Sequence, residues 1–144
     1  MSKEIEESIK MQVLQEPYAR KMGIRLRAVE EGYARVEMTL TEEMTNIFGM
    51  AHGGAIFSLL DEAFEIASNS HGIMAVALNM NVTYIAAPEI GDTLRAEATE
   101  ISRTRRTATY AITVKDGQDG LIATCNALVY RKDTPLSFLN TPTK

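Results

Sequence analysis

Residues 46–72 decide the fold, and they read NIFGMAHGGAIFSLLDEAFEIASNSHG. The stretch begins as a polar loop, turns tightly at His52-Gly53-Gly54 and continues as one long helix with little charge. At about 100° per residue, the apolar side chains of this helix cover well over half of its circumference. A helix of this kind is surrounded by other elements and does not lie on a surface.

Asp61 interrupts the apolar character of this helix near its middle. It lies at the boundary of the apolar arc, beside Phe57, Phe64 and Ser68. A carboxylate in this position is either solvated through a gap or held in a pocket that tunes its basicity. Glu62 points further round the helix, and we expect it to be solvated or interfacial.

Composition sets the limits on class and location. The chain has 144 residues, 45% hydrophobic and 24% charged, with a net charge of −4. A net negative charge argues against a nucleic-acid partner. A single cysteine, Cys125, cannot form a disulfide within the chain and suits a reducing cytoplasm. The opening MSKEIEESIK is charged where a signal peptide is apolar, and the longest apolar run is about six residues, too short for a membrane span. We therefore expect a cytoplasmic protein with no membrane partner.

The segments before residue 46 indicate a helix followed by a hairpin. Apolar residues recur at helical spacing in residues 1–15, and Pro17 ends that helix, so that residues 1–22 form an N-terminal helical segment. Alternation in residues 34–40 indicates a half-buried strand. Glu30-Glu31-Gly32 forms the turn that joins it to a strand in residues 24–29.

Four strands follow the long helix, in residues 73–87, 93–100, 107–114 and 121–130. The first of them is too apolar for an exposed edge, so we place it inside the sheet. Short turns require antiparallel neighbours. The sequence therefore predicts one α+β domain over residues 1–144, in which a curved antiparallel sheet of five to six strands wraps the long helix. Residues 132–144 are expected to be a loose tail.

The helix and its turn carry a family resemblance. His52-Gly53-Gly54 opens a buried helix, Asn46 lies six residues before the histidine, and Asp61 lies nine after it. This pattern resembles the hotdog-fold acyl-CoA thioesterases, most closely the phenylacetate-degradation (PaaI-like) group. The resemblance covers about residues 16–131 and includes the later turn Gly91-Asp92-Thr93-Leu94.

The resemblance implies hydrolysis of an aryl-acetyl-CoA, of phenylacetyl or hydroxyphenylacetyl type, or of a medium-chain acyl-CoA. It implies no cofactor, since coenzyme A is part of the substrate. Gly53 would bind the thioester oxygen through its backbone N–H, Asn46 would donate its amide, and Asp61 would be a general base or a nucleophile. Because Asp61 lies about 12 Å along its own helix from Gly53, the family's two-subunit site requires a homo-oligomer. The expectation is at least a dimer, and by family habit a tetramer.

Further candidates for substrate binding are His52, Gly54, Phe57, Glu65, Ser68, Tyr84, Arg103, Arg105 and Arg106. The family uses the histidine mainly to shape the loop, and it often has a small or hydroxyl residue at the position of Glu65. The three arginines would hold the phosphates of coenzyme A. Ser68 could hydrogen-bond the carboxyl of Asp61 or Glu65, and Glu65 would raise the basicity of Asp61. Candidates for an acyl pocket are Phe48, Met50, Phe57, Phe64 and Met80.

Each assignment has a structural alternative. The glycines could serve only the sharp turn, Asn46 only the loop, Asp61 only a salt bridge, and the arginines only a solvated turn. No residues have the spacing of metal ligands, so none is predicted to bind a metal. The competing functions are a non-catalytic acyl-CoA-binding hotdog domain and a hydratase. The hydratase is disfavoured because its Pro-rich histidine loop is missing.

Overall fold

The sheet of this protein is wrapped around a single helix, α3 (Gly53–Asn69), which contacts all six strands. The computed structural model describes residues 1–140. The other elements are α1 (Lys3–Gln15), α2 (Pro17–Met22), β1 (Arg25–Glu30), β2 (Tyr33–Thr39), β3 (Ile73–Tyr84), β4 (Thr93–Arg103), β5 (Thr107–Lys115) and β6 (Leu121–Pro135), with 3₁₀ turns at Glu42–Met44 and Ser137–Asn140. The predicted α+β architecture is confirmed, with six strands in the sheet.

Helix α3 is buried because its apolar side chains point in nearly every direction. Leu59, Leu60 and Ala63 have no exposed surface. Phe64 meets Tyr110 of β5 edge to face, with ring centroids 5.5 Å apart, a favoured aromatic geometry. The helix is therefore fixed against the sheet along most of its length.

The strand order is β1-β2-β4-β5-β6-β3, and every neighbouring pair is antiparallel. This order places β3 at the edge of the sheet, where it pairs only with β6. The prediction that this apolar strand lies inside the sheet is therefore wrong for the single chain. Leu78 and Tyr84 are more than half exposed along it. An apolar pattern indicates that a strand is covered, but it does not say which chain covers it.

The end of the chain is more ordered than expected. Strand β6 continues to Pro135, and Leu136 is buried and donates its N–H to the Gly72 carbonyl at 3.1 Å. The expected loose tail is therefore wrong for residues 132–136, because an apolar side chain and a backbone hydrogen bond hold them. The expectation for residues 141–144 lies outside the described residues. Within residues 1–140, no helix is long and apolar enough to cross a bilayer.

Candidate active site

The start of α3 is shaped by His52, which precedes the first helical residue. Its backbone is extended (φ −69°, ψ 132°), and its Nδ1 accepts a hydrogen bond from the Gly54 N–H at 2.7 Å. A side chain on Gly54 would collide with this ring, since a Cβ there would lie 2.9 Å from Nδ1. His52 therefore caps the helix, and it occupies one of the backbone donors that a helix N-terminus offers.

Gly53 carries the backbone N–H that the described residues leave without a partner at the start of α3. Its backbone N–H donates no hydrogen bond to any of residues 1–140. The Tyr84 hydroxyl donates to the Gly53 carbonyl at 3.2 Å, and the Tyr84 ring lies 3.4 Å from where a Cβ on Gly53 would be. The positive end of the helix dipole and an unused N–H thus meet at a partly exposed glycine, next to an aromatic ring.

Asn46 holds the loop that leads into this turn. Its side-chain oxygen accepts hydrogen bonds from the N–H groups of Phe48 at 2.9 Å and Met50 at 3.1 Å. The structural role that the sequence left open is therefore present. It uses only the oxygen, and the side-chain NH₂ has no acceptor in residues 1–140. Asn46 can consequently shape the loop and still donate to a bound molecule.

Asp61 is half-buried two turns further along α3. Burial raises the pKa of its carboxyl, and the negative charge of Glu16 raises it further. Asp61 and Glu65 also repel each other, and this repulsion contributes to the raised pKa of Glu65. Asp61 lines a cavity of about 700 Å³ between α1, α3 and β3. Its distance from Gly53 of the same chain, about 12 Å along the helix, excludes direct cooperation of the two within one subunit.

Three further carboxylates lie beside Asp61. Oxygens of Glu16, Glu62 and Glu65 all fall within 4.8 Å of one another. Glu62 is 4% exposed, because the junction of α1 and α2 covers this face of α3. Of the two expectations for it, solvated or interfacial, the first is therefore wrong and the second stays a prediction. Burial and the neighbouring acids raise the pKa of Glu62. Glu65 keeps solvent-exposed surface in the single chain, but partial burial of its carboxyl and the negative charges of Glu16 and Asp61 raise its pKa to about 7.

Other predicted contacts differ from expectation. Ser68 is buried, and its hydroxyl donates to the backbone carbonyl of Glu65 at 3.2 Å, so the suggested bond to a carboxyl is not made. Phe57 is half-buried and lies outside the cavity wall. Of the proposed acyl-pocket residues only Phe64 lines the cavity, together with residues that the sequence did not single out: Ile9, Val13, Met74, Val76, Leu136 and Phe138.

The basic turn between β4 and β5 lies at the opposite end of α3 from Gly53. Each of its three guanidinium groups already has a partner within the chain: Arg103 with Glu100 at 3.2 Å, Arg105 with Asp133 at 2.6 Å, and Arg106 with the Tyr130 hydroxyl at 2.8 Å. A helix of this length spans about 25 Å. These arginines therefore lie far from the Gly53 donor of their own chain.

Comparison with known proteins identifies the family. The Thioesterase superfamily model matches residues 48–123. A relative from Archaeoglobus fulgidus is 46% identical over 110 residues, 76% of this chain and 71% of its own length. Acyl-coenzyme A thioesterase PaaI of Escherichia coli is 37% identical over 105 residues, 73% of this chain and 75% of its own.

A solved structure extends this similarity to the whole fold. The E. coli PaaI protein from the phenylacetic acid degradation operon superposes with a TM-score of 0.89 at 30% identity, over 93% of this chain and 97% of that one. Sequence and structure agree, and the resemblance drawn from the His-Gly-Gly turn and its helix is confirmed. The chain belongs to the Thioesterase superfamily and is a PaaI-like thioester hydrolase of the hotdog fold.

Proposed function

We propose that this protein is an acyl-CoA thioesterase that cleaves an aryl-acetyl-CoA, of phenylacetyl or hydroxyphenylacetyl type, or a medium-chain acyl-CoA, to the free acid and coenzyme A. The observation that carries the proposal is the unused Gly53 N–H at the start of a buried helix. The similarity to the E. coli acyl-coenzyme A thioesterase supports the substrate class. A role in phenylacetate degradation in the cytoplasm is part of the proposal.

The Gly53 N–H serves as the oxyanion donor. When an oxygen nucleophile adds to the thioester carbon, the carbonyl electron pair moves onto oxygen, and a donor fixed in advance stabilises that charge. Glycine lets the thioester approach the backbone closely, and Tyr84 provides a flat wall on one side. Because Gly54 donates to His52, Gly53 is the backbone donor available at this turn. The NH₂ of Asn46 assists from the loop.

Asp61 of a facing subunit supplies the basic oxygen. As a general base it takes a proton from water while that water attacks the carbonyl carbon, and as a nucleophile it attacks directly and forms an anhydride that water then hydrolyses. Either way, collapse of the intermediate expels the thiolate of coenzyme A. Burial raises the pKa of Asp61, which makes it a stronger base than an ordinary surface aspartate.

The second subunit joins at the edge strand β3. This strand of 12 residues has one unpaired side, and Val76, Leu78 and Tyr84 are exposed along it. A long apolar edge invites pairing with another strand. Pairing of two β3 strands about a two-fold axis would place the Gly53 turn of one chain beside the α3 of the other. The active unit is then at least a dimer, and a tetramer is the larger assembly that we propose.

The cavity beside Asp61 accommodates the acyl group. Its volume of about 700 Å³ and its lining by Phe64, Met74 and Phe138 suit an aromatic ring or a chain of moderate length. Phosphates of coenzyme A would meet Arg103, Arg105 and Arg106 of a neighbouring subunit, since those of the same chain lie at the far end of the helix.

The proposal is tested with a panel of phenylacetyl-, hydroxyphenylacetyl-, hexanoyl- and acetyl-CoA, followed by release of free thiol. We expect turnover that is fastest for the aryl-acetyl or hexanoyl ester, with acetyl-CoA poor because it leaves the cavity unfilled. Binding of an ester without cleavage would identify the alternative, a non-catalytic acyl-CoA-binding domain. Preference for acetyl-CoA would overturn the assignment of the cavity.

A further inference from the structure

We propose that Glu16, Glu62 and Glu65 form a binding site for a divalent cation of the calcium type beside Asp61. Their oxygens converge from two separate parts of the chain, the junction of α1 with α2 and the middle of α3. The site does not depend on the proposed thioesterase activity, because it concerns only these carboxylates and their surroundings.

The spacing of the oxygens suits a calcium-sized ion. Ca²⁺ binds oxygen at about 2.3–2.6 Å, so two ligands on opposite sides of the ion lie about 4.6–5.2 Å apart. All three carboxylates offer an oxygen within 4.8 Å of the others. Mg²⁺ gives up its water ligands reluctantly and is usually bound through only one or two carboxylates. A cluster of three carboxylates therefore favours the larger ion.

Glu62 gives the second, independent indication of a ligand. Its side chain is 4% exposed, and its Oε1 is fully buried with no hydrogen-bond partner in residues 1–140. A buried acceptor without a partner costs about 1–3 kcal/mol, and more when it is charged. A cation coordinated by this oxygen would remove that cost. The alternative within the fold is a proton shared with the neighbouring Glu16 carboxyl, which hydrogen-bonds Glu62.

The charges around the group are all negative. Glu16 comes from the α1–α2 junction, and Asp61, Glu62 and Glu65 come from α3; each charged group that acts on these carboxyls is another of the four. The facing parts of β3 and of the chain end contribute Met74, Val76 and Phe138, which carry no charge. Acids packed together without a positive group must hold protons or a cation.

Outside the cluster itself, two of the ligands make no side-chain hydrogen bond in residues 1–140. Glu16 stands at the N-cap of α2, but its side chain makes no capping hydrogen bond there. Glu65 faces the cavity, from which water can complete the coordination shell. A cation bound by Glu62, the residue after Asp61, would favour the ionised form of the Asp61 carboxyl.

The experiment measures calcium binding to the full-length protein after treatment with chelator and dialysis. Isothermal titration with CaCl₂ is compared with MgCl₂, and Mn²⁺ binding is followed by electron paramagnetic resonance. We expect saturable binding of one Ca²⁺ per chain, weaker binding of Mg²⁺, and a Tm that rises with calcium concentration. None of these measurements depends on catalysis.

Variants assign the ligands. Glu62→Gln and Glu16→Gln should each weaken Ca²⁺ binding at least about tenfold, and Glu42→Gln, an exposed acid of the 3₁₀ turn, should leave it unchanged. Circular dichroism checks the fold of each variant. If Glu62→Gln does not fold, Glu16→Gln provides the test. The Glu16 side chain is half-exposed and caps no helix, so this variant should keep the fold. No saturable binding, or equal binding by Glu16→Gln, would overturn the site and leave these acids as holders of a shared proton.

Discussion

Two groups of acidic residues surround α3, and their environments are opposite. Just beyond its C-terminal end, Glu100 accepts a hydrogen bond from the Tyr110 hydroxyl at 2.8 Å, contacts the His71 ring and pairs with Arg103. Burial alone would raise the pKa of Glu100, but the hydrogen bonds from Tyr110 and His71 outweigh it, and the pKa lies below its ordinary value. This group is saturated with partners and serves stability.

Near the middle of the helix, Asp61 and its neighbours Glu16, Glu62 and Glu65 have no such partners. Burial and mutual repulsion raise the pKa of Asp61, Glu62 and Glu65. The same side-chain type is thus shifted in opposite directions within one small protein. Acids that the fold leaves without partners are the ones available to water, substrate or a cation. This difference distinguishes the acids with a functional role from those with a structural role.

The largest expected effect separates activity from stability. Asp61→Asn should lower kcat/KM by about 10²–10⁴, the usual contribution of a catalytic base, while the Tm stays equal or rises because a buried charge is removed. Thioester hydrolysis and thermal unfolding of the same preparation check this. A fall in Tm with activity retained would place Asp61 with the structural acids.

The next effect tests the Gly53 donor with a matched pair of variants. Gly53→Pro removes the N–H at the first helical position, where proline is tolerated and where the extended His52 suits a following proline. We expect kcat to fall by about 10²–10³. Gly53→Ala keeps the N–H and adds only a Cβ 3.4 Å from Tyr84, so it should lose much less. Equal losses would mean that space, and not the donor, matters at this turn.

In the structural group, Glu100→Gln should cost about 1–3 kcal/mol in the free energy of unfolding, because a charged hydrogen-bond network loses its centre. Urea unfolding at neutral pH measures this cost. Glu97→Gln is the control: Glu97 accepts from Tyr33 at 3.0 Å on the more open sheet face, and its ion pairs should be worth less than about 1 kcal/mol. A cost at Glu97 as large as at Glu100 would contradict the distinction.

The smallest expected effect is a difference in how the free energy of unfolding changes with pH, measured with chelator present. The pKa of Glu100 is lowered on folding, so its stabilisation is present above the ordinary carboxyl value of 4.5 and is lost as the pH falls through the lower folded value. The pKa of Glu65 is raised to about 7, so its stabilisation is present below 4.5 and is lost as the pH rises to about 7.

Unfolding at pH 3, 5 and 7 should therefore show two opposite changes. Glu100→Gln should flatten the loss of stability on the acid side, and Glu65→Gln should flatten the loss between pH 5 and 7. Parallel profiles of both variants and the wild type would mean that the two groups do not differ.

Local pattern was enough to predict the central helix, its turn and the paired strands, because each depends on neighbouring residues. What the sequence missed depends on distant ones. Glu16 reaches Glu62 because the α1–α2 junction folds over α3, and no periodicity within the helix could show that a polar residue there is covered. Likewise, the edge position of β3 follows from strand order, which an apolar run does not encode.

The central claim is that each active site combines the Gly53 turn of one subunit with Asp61 of another, and mixed oligomers test it most directly. Gly53→Pro and Asp61→Asn chains, each inactive alone and each eluting as the wild type does, are co-expressed with different tags. Random pairing should then restore about a quarter of the wild-type activity, since half of the dimers contain one intact site. Activity in the doubly tagged fraction is the predicted result. Activity that stays at the level of the parent variants would show that both residues must act within one chain, and would contradict the account.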